Sequence, residues 1–194
     1  MNNETEKKII MPNFLIIGAA KSGTSAIYHY LKQHPQIYMS PIKEPYFFAF
    51  EGEKLNFQGP GLTINESSIK EIESYRNLFQ GVSDEVAIGE ASTLYLYIPK
   101  APTLIKQYVP NIKLIAILRN PVDRAYSSFM HLIRDQQEPI TDFAQALKAE
   151  ESRIQNNWGF LWRYQDIGFY SVQLKRYFEK FDRSQIKVYL YDYF

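Results

Sequence analysis

The most informative segment of the chain reads Phe14-Leu15-Ile16-Ile17-Gly18-Ala19-Ala20-Lys21-Ser22-Gly23-Thr24-Ser25. Its apolar first half, residues 13–17, predicts a short buried strand that ends at a glycine. Apolar side chains then recur at helical spacing over residues 25–33, before His34-Pro35. A loop that joins a strand to a helix directs free backbone N–H groups at one point, beside the positive end of the helix dipole. The segment therefore predicts an anion site.

The residues of this loop indicate what kind of anion site it is. Gly18 and Gly23 permit a tight turn and close approach of the backbone, and Lys21 adds a mobile positive charge. The Gly-x4-Gly spacing resembles a P-loop, but Thr24 follows the second glycine and the lysine comes two positions earlier. This offset disfavours a standard ATP or GTP loop. An ordinary strand-to-helix turn is the alternative interpretation.

The rest of the chain alternates apolar runs with amphipathic segments. Strands are predicted at residues 37–39, 86–89, 112–118 and 186–190, helices at 67–79, 100–108, 121–134, 142–155 and 170–181, and a loop at 51–66. The run at 112–118 is apolar apart from one lysine, which is typical of a parallel strand buried on both faces. The alternation predicts a three-layer α/β fold, P-loop-like, with a mainly parallel central sheet flanked by helices.

The composition restricts the function classes. The chain has 194 residues, 45% of them hydrophobic, which suits one compact domain. A net charge of +1 provides no general basic field for nucleic acid or a membrane surface. The absence of cysteine excludes disulfides and thiolate metal sites, and His29, His34 and His131 lack ligand spacing. We therefore predict neither a metal site nor a nucleic-acid partner.

The two ends of the chain suggest its domain boundaries. We predict a flexible tail at residues 1–11 and one domain at 12–194. No apolar leader follows the start, and no run approaches the roughly 18 to 20 residues of a membrane span, so a cytoplasmic protein is expected. The chain stops soon after the strand predicted at 186–190, which we interpret as buried. Because nothing remains to cover or pair that strand, we expect the native domain to continue past Phe194.

A second candidate anion site follows the strand at 112–118. Asn120-Pro121 is a helix cap followed by proline at the first helical position. Arg119 precedes it, at the carboxyl end of the strand, where ligands of open α/β sheets collect. Ser127 lies two turns into the helix, so an arginine fork and a serine hydroxyl could close on one phosphate. Each residue alone fits a structural role equally well.

A candidate general base lies in the segment Lys43-Glu44-Pro45, directly before three aromatic residues. A carboxylate held between a lysine and a proline can be positioned to accept a proton. The plainer interpretation of Glu44 is a solvated loop carboxylate.

Taken together in their order and separation, these segments and Gly89-Glu90-Ala91-Ser92 resemble a known family. The chain resembles the sulfotransferases that use 3′-phosphoadenosine 5′-phosphosulfate, in the branch with heparan-sulfate and bacterial enzymes. The resemblance runs from Pro12 to the end and covers about the first two-thirds of such a domain. It implies transfer of a sulfuryl group to a hydroxyl or amine acceptor, a carbohydrate or another small molecule, without a metal.

The resemblance also implies a role for each candidate residue. The residues that would bind the 5′-phosphosulfate are Lys21, Ser22, Gly23, Thr24 and Ser25. Arg119 and Ser127 would hold the 3′-phosphate that distinguishes this donor from ADP. Lys21 would also neutralise the leaving oxygen, and Glu44 would act as catalytic base.

Two departures and two alternatives remain from the sequence. Tyr46 stands where glycosaminoglycan enzymes often carry histidine, and Ala91 stands near their acceptor-side lysine. A site built for a polyanionic glycan is therefore not expected. A P-loop kinase for a small molecule, with Glu90 as magnesium carboxylate, is one alternative function. A truncated, non-catalytic nucleotide-binding domain is the other, and the sequence does not indicate an oligomeric state.

Overall fold

The computed structural model describes residues 10–193 of the chain. The tail predicted for residues 1–11 lies outside the described residues, apart from its last two positions. The strands of the described part are β1 (Phe14–Gly18), β2 (Ile37–Met39), β3 (Ala87–Ala91), β4 (Lys113–Leu118) and β5 (Ile186–Leu190).

Helices fill most of the connections between these strands. The α-helices found within residues 10–193 are α1 (Thr24–Leu31), α2 (Phe47–Phe50), α3 (Ile64–Ser67), α4 (Ile72–Asn77), α5 (Ala101–Tyr108), α6 (Pro121–Arg134), α7 (Phe143–Lys148), α8 (Glu150–Gln155) and α9 (Tyr170–Phe178). Short 3₁₀ turns lie at Phe160–Trp162, Asp166–Gly168, Arg183–Gln185 and Tyr191–Tyr193. No helix of this part of the chain is long and apolar enough to cross a membrane.

The strands form one sheet in the order β2-β3-β1-β4-β5. Every pairing in it is parallel. The central strand β1 is buried along its whole length, which explains why its sequence is continuously apolar instead of alternating. The predicted α/β fold with a parallel sheet is confirmed.

The side chains of β1 alternate between two separate cores. Leu15 and Ile17 join the larger cluster, to which α2, α4, α5 and α9 contribute. Phe14 and Ile16 join a smaller cluster with Tyr28 of α1. Because successive side chains of a strand point to opposite faces, helices cover the sheet on both sides. This arrangement gives the three layers predicted from the sequence.

Aromatic rings pack the segment after Glu44 into the larger core. Phe47 stacks on Tyr75 with 4.6 Å between ring centroids, and Phe48 meets Tyr95 edge-on at 5.5 Å. Such pairs add stability beyond the area they bury. The short helix α2 is therefore packed firmly against the core, and the loop before it is anchored where it joins this helix.

Several local predictions differ from the structure. The helix predicted at 67–79 is shorter in the structure and forms only α4. Helix α3 forms where the loop at 51–66 is predicted and ends at Ser67. The next residue, Ser68, is extended, and its hydroxyl donates to the carbonyl of Ile64. The helix predicted at 142–155 is divided into α7 and α8 around Ala149. Strand β5 lies at the sheet edge, and its Leu190 is 51% exposed, so the interpretation of β5 as buried is wrong.

Candidate active site

The candidate site is a cleft at the carboxyl ends of the central strands. β1 is flanked by β3 on one side and β4 on the other, so the connections leaving these strands diverge and open a crevice between them. The cleft has a volume of about 700 Å³. Its walls come from the loop after β1, the segments after β2 and β3, the residues around 61–67 and the middle of α6.

The loop after β1 depends on its two glycines. A Cβ atom on Gly18 would lie 2.9 Å from the Cβ of Leu96, so only glycine lets β1 approach the segment after β3. Gly23 has a φ of +82°, and a Cβ there would lie 3.0 Å from the ring of Tyr191. Lys21 between them also has a positive φ of 66°. The backbone thus makes the tight turn that the glycine spacing predicts.

The start of α1 supplies donors to the cleft. Gly23 precedes the helix without a side-chain cap, and the first N–H groups of a helix lack intrahelical acceptors. Thr24 and Ser25, the first two residues of α1, line the cleft together with Lys21. Ser22 lies beneath the cleft surface: its side chain is fully buried, and its N–H donates to the carbonyl of Ala19 at 3.3 Å.

Burial and neighbouring positive charges act on Lys21 in the cleft. Burial lowers the pKa of its ammonium, and repulsion from Arg134 and Arg119 adds to this effect, while Asp135 and Glu44 oppose it. An anion bound beside Lys21 would favour its charged form and so offset the effects of burial and of repulsion. The local field therefore favours an anionic ligand at this point.

Glu44 is held from several sides. Its backbone adopts a left-handed φ of 61°, and its N–H donates to the carbonyl of Ala91 at 2.9 Å. Its Oε1 accepts from Lys43 Nζ at 2.8 Å and from Thr93 Oγ1 at 3.0 Å. Its Oε2 accepts from the phenol of Tyr46. The carboxylate faces the cleft in one fixed orientation, as a general base requires.

Tyr46 remains a hydrogen-bond donor to Glu44 because it stays protonated. Burial raises the pKa of its phenol well above the ordinary value of 10.0, and the charge of Glu44 raises it further. The phenol is therefore neutral over the whole range in which enzymes normally work.

The second candidate anion site consists of Arg119 and Ser127, on the other side of the loop from Glu44. The guanidinium of Arg119 donates to the carbonyl of Lys21 at 3.5 Å and stacks over the ring of Tyr191 at 4.8 Å. The Asn120 side chain accepts from the N–H of Val122 at 2.9 Å and so starts α6 directly after Arg119. Ser127, half-buried two turns along α6, lines the same cleft.

Sequence reasoning missed three residues that line the cleft. His131 lies four residues after Ser127 and thus on the same face of α6, a spacing that could have been noticed. Burial lowers its pKa, and the charge of Lys21 lowers it further. Thr93 comes just after the Gly89–Ser92 motif, and its contact with Glu44 has no local sequence signal.

Arg124 is the third, and it has a structural contact. It is only 1% exposed, and its guanidinium donates to the carbonyl of Tyr164, which ties α6 to the chain after α8. Burial lowers its pKa. An arginine on a helix normally suggests a solvated face, so the pattern of α6 did not predict this burial.

The cleft brings together Lys21, Gly23, Thr24, Ser25, Glu44, Arg119 and Ser127, and Ser22 underlies it. A parallel sheet with a glycine-containing loop at its switch point defines a P-loop-like α/β protein. The chain belongs to the sulfotransferase family, whose model matches residues 12–179.

Individual relatives agree with this membership. The chain is 32% identical to the membrane-associated sulfotransferase kil1 of Dictyostelium discoideum over 76% of its length. It is 30% identical to the bifunctional heparan sulfate N-deacetylase/N-sulfotransferase 4 of Mus musculus over 92% of its length. It spans 30% and 20%, respectively, of the lengths of these two relatives.

A solved structure also resembles the whole fold. The crystal structure of a sulfotransferase from Alicyclobacillus acidocaldarius superposes with a TM-score of 0.91 at 43% identity. The similarity covers 96% of this chain and 75% of that chain. The arrangement of elements described above is thus that of a sulfotransferase fold.

Proposed function

We propose that this chain transfers a sulfuryl group from 3′-phosphoadenosine 5′-phosphosulfate to a hydroxyl or amine. The observation that carries the proposal is the convergence on one cleft of an anion loop, a second arginine–serine pair and a held carboxylate. Two separate anion positions match a donor that carries a phosphosulfate and a ribose phosphate. The sulfotransferase family membership supports the same reaction.

The donor would be held at both of its anionic ends. Lys21 and the free N–H groups at the start of α1 would bind the phosphosulfate, with the backbone of residues 22–25. Arg119 and Ser127 would both bind the 3′-phosphate through charge-assisted hydrogen bonds. The contact of Arg119 with the backbone carbonyl of Lys21 joins the two parts of the proposed donor site, and the charge of Arg119 lowers the pKa of the Lys21 ammonium.

The transfer step follows from the same arrangement. The acceptor oxygen or nitrogen attacks sulfur, the bond from sulfur to the bridging phosphate oxygen breaks, and the acceptor proton passes to Glu44. Negative charge develops on the leaving oxygen, where Lys21 would stabilise it. Thr93 and Tyr46 orient the carboxylate toward the cleft.

The acceptor is proposed only by class. The heparan sulfate N-sulfotransferase in the name of the mouse relative supports a carbohydrate. The cleft mixes charges beyond the donor residues, with Lys43 on one hand and Asp135 on the other. This mixture supports a neutral or weakly charged hydroxyl or amine compound over a polyanion.

Calorimetric titration with 3′-phosphoadenosine 5′-phosphate tests the donor site. We expect Arg119→Ala to weaken binding by about 10-fold to 100-fold, the value of a charge-assisted hydrogen bond. Arg183→Ala is the matched control, because Arg183 also stacks on a ring, that of Phe178 at 4.5 Å, outside the cleft. Unchanged affinity in Arg119→Ala, or no binding by the folded parent protein, contradicts the donor assignment.

A turnover assay tests the base. We expect Glu44→Gln to reduce sulfuryl transfer by about 10²-fold to 10⁴-fold while it leaves product-nucleotide affinity unchanged. Glu53→Gln is the control, since Glu53 also pairs with a lysine, Lys100 at 2.6 Å, but on the surface. A Glu44→Gln variant with the parent rate would show that another group accepts the proton.

A further inference from the structure

One wall of the cleft has no role in the proposed donor site or in holding the proposed base. It is formed by residues 61–64, which we call the outer wall. The side chain of Gln137, which follows α6, donates to the carbonyl of Gly61 at 3.1 Å. The N–H of Ile69, which follows α3, donates to the carbonyl of Pro45 at 2.9 Å, directly beside the proposed base. The outer wall is therefore attached to α6 on one side and to the loop of the base on the other.

The loop that carries the outer wall is held by hydrogen bonds of its own. The Asn65 side chain accepts from the N–H of Phe57 at 3.1 Å and donates to the carbonyl of the same residue at 2.8 Å. The N–H of Gln58 donates to the carbonyl of Asn157 at 2.8 Å, which ties the loop to the chain after α8. Because these contacts lie within the protein, the shape of the outer wall is set before an acceptor binds.

Aliphatic side chains provide much of the surface on this side of the cleft. Leu62 and Ile64 of the outer wall are half-buried, and each packs against a different core cluster. A Cβ atom on Gly159 would lie 2.8 Å from Leu62, so the chain that leads to Leu161 runs beside the wall. Leu161 and Ile42 also line the cleft and are 39% and 47% exposed. A ligand with apolar surface would remove these side chains from water, which favours its binding.

Several polar side chains of the cleft already have partners within the protein. The amide of Gln137 donates to the outer wall. The Lys43 ammonium donates to Glu44 at 2.8 Å, and the Asp135 carboxylate accepts from Arg134 at 2.7 Å. The hydroxyls of a sugar placed against the aliphatic side chains would lose water without gaining a hydrogen-bond partner, and this weakens binding.

We propose that the cleft takes an acceptor whose hydroxyl or amine is attached to an apolar body, and that the outer wall selects this body. The proposal rests on the proposed sulfuryl transfer and narrows its acceptor class. A hydrocarbon ring or chain packs against the aliphatic side chains while its hydroxyl or amine reaches Glu44. Thr63 and Ser67, whose hydroxyls belong to the same side of the cleft, serve only a few polar substituents. A polyhydroxylated sugar leaves most of its hydroxyls unpaired there.

Matched pairs of acceptors test the acceptor class. Cyclohexylmethanol and methyl β-D-glucopyranoside both carry a primary hydroxyl on a ring of the same size and differ in their ring hydroxyls. Cyclohexylamine and glucosamine form the corresponding amine pair. With 3′-phosphoadenosine 5′-phosphosulfate as donor, we expect kcat/KM to be about 10-fold or more higher for the apolar member of the pair that reacts. A sugar that reacts as well as its apolar counterpart overturns the proposal.

A double variant at the two exposed positions tests the apolar surface itself. Ile42→Thr with Leu161→Asn roughly keeps the side-chain sizes and replaces hydrocarbon by polar groups. We expect KM for cyclohexylmethanol to rise by about 10-fold, with kcat and the affinity for 3′-phosphoadenosine 5′-phosphate within about twofold of the parent. Val86→Thr is the matched control, because Val86 is 69% exposed and lies outside the cleft lining. An unchanged KM in the double variant overturns the proposal.

Binding measurements separate this inference from the proposed function. Saturation-transfer NMR on the complex of the protein with 3′-phosphoadenosine 5′-phosphate reports acceptor binding without turnover. Tighter binding of the apolar members, with no transfer to any of the four compounds, overturns the proposed function and keeps the apolar ligand class. Sugars that bind as tightly as their apolar counterparts, or apolar members that do not bind, overturn the acceptor class. Transfer to a sugar in that case leaves the proposed function in place.

Discussion

Gly23 has a left-handed backbone conformation and crowded surroundings, so it is the residue of the anion loop that should tolerate substitution least. Gly23→Ala would force a φ of +82° on a residue with a Cβ and press that atom against the ring of Tyr191. We expect a loss of about 1 kcal/mol in the free energy of unfolding from the backbone alone. Affinity for 3′-phosphoadenosine 5′-phosphate should also fall, since Gly23 directs the first N–H groups of α1.

Gly52→Ala separates these two effects. Gly52 has a similar φ of +68°, but a Cβ there would meet nothing within 4 Å, and it does not line the cleft. We expect a comparable loss of stability by chemical denaturation with unchanged nucleotide affinity by calorimetry. If both variants bind the nucleotide as the parent does, the loop is not the anion site.

At the same scale, the sequence predicted the charged residues of the site better than their supports. Lys21, Glu44 and Arg119 stand beside glycine, proline or a helix start, which are signals in the chain itself. Tyr46 contacts Glu44 from two residues further along the chain, whereas Thr93 reaches Glu44 because β3 lies beside β2 in the sheet. A contact across the fold has no local signature, so sequence reasoning did not find Thr93.

Helix α6 is the element that aligns Arg119 with Ser127, the two residues of the second candidate anion site. The Asn120 side chain accepts from the N–H groups of Val122 and Asp123 at its start. We expect Asn120→Ala to cost about 1 kcal/mol of stability, as loss of an N-cap does. Because Arg119 precedes the cap and Ser127 follows it, nucleotide affinity should fall as well. Chemical denaturation and calorimetric titration measure the two effects.

Asp142 provides the matched control at α7. Its side chain accepts from the N–H of Gln145 at 2.8 Å in the same capping role, but α7 contributes no residue to the cleft. Asp142→Ala should cost similar stability and leave nucleotide affinity unchanged. Equal affinity losses in the two cap variants would mean that α6 has no special role in alignment.

Elements were predicted where the chain carries a start or stop signal. The Asn120-Pro121 pair marked the beginning of α6 correctly. The division of α7 from α8 has no such signal, and the buried Glu150 that begins α8 binds backbone N–H groups of Gln165 and Asp166. A tertiary contact therefore overrode the helical pattern of residues 142–155.

The free energy of unfolding of the whole molecule should depend on pH because of the buried Glu90. Its pKa is about 7 in the folded protein and near the ordinary 4.5 when unfolded. Between these values the folded state binds more protons, so this group's contribution to stability falls as pH rises through that window. The charged or titratable groups that face it are Glu44, Tyr75 and Tyr95, and the phenols remain neutral there.

Denaturant unfolding of the parent and Glu90→Gln across pH 4 to 8 measures this contribution, in a range set by the two pKa values. We expect the stability of the parent relative to the variant to fall by up to about 3 kcal/mol as pH rises. Other titrating groups, His131 included, are present in both proteins and cancel in the difference. Parallel stability curves would contradict a raised pKa at Glu90.

The amino-acid sequence alone determined the α/β fold, the anion loop and the charged residues of the candidate site. These features depend on periodicity, glycine and proline positions and the order of motifs, all of which are local properties of the chain. The tertiary structure alone decided the edge position of β5 and the contact of Thr93 with Glu44. Those features depend on which strands become neighbours and which side chains are removed from water, and the free energy of that burial belongs to the folded chain as a whole.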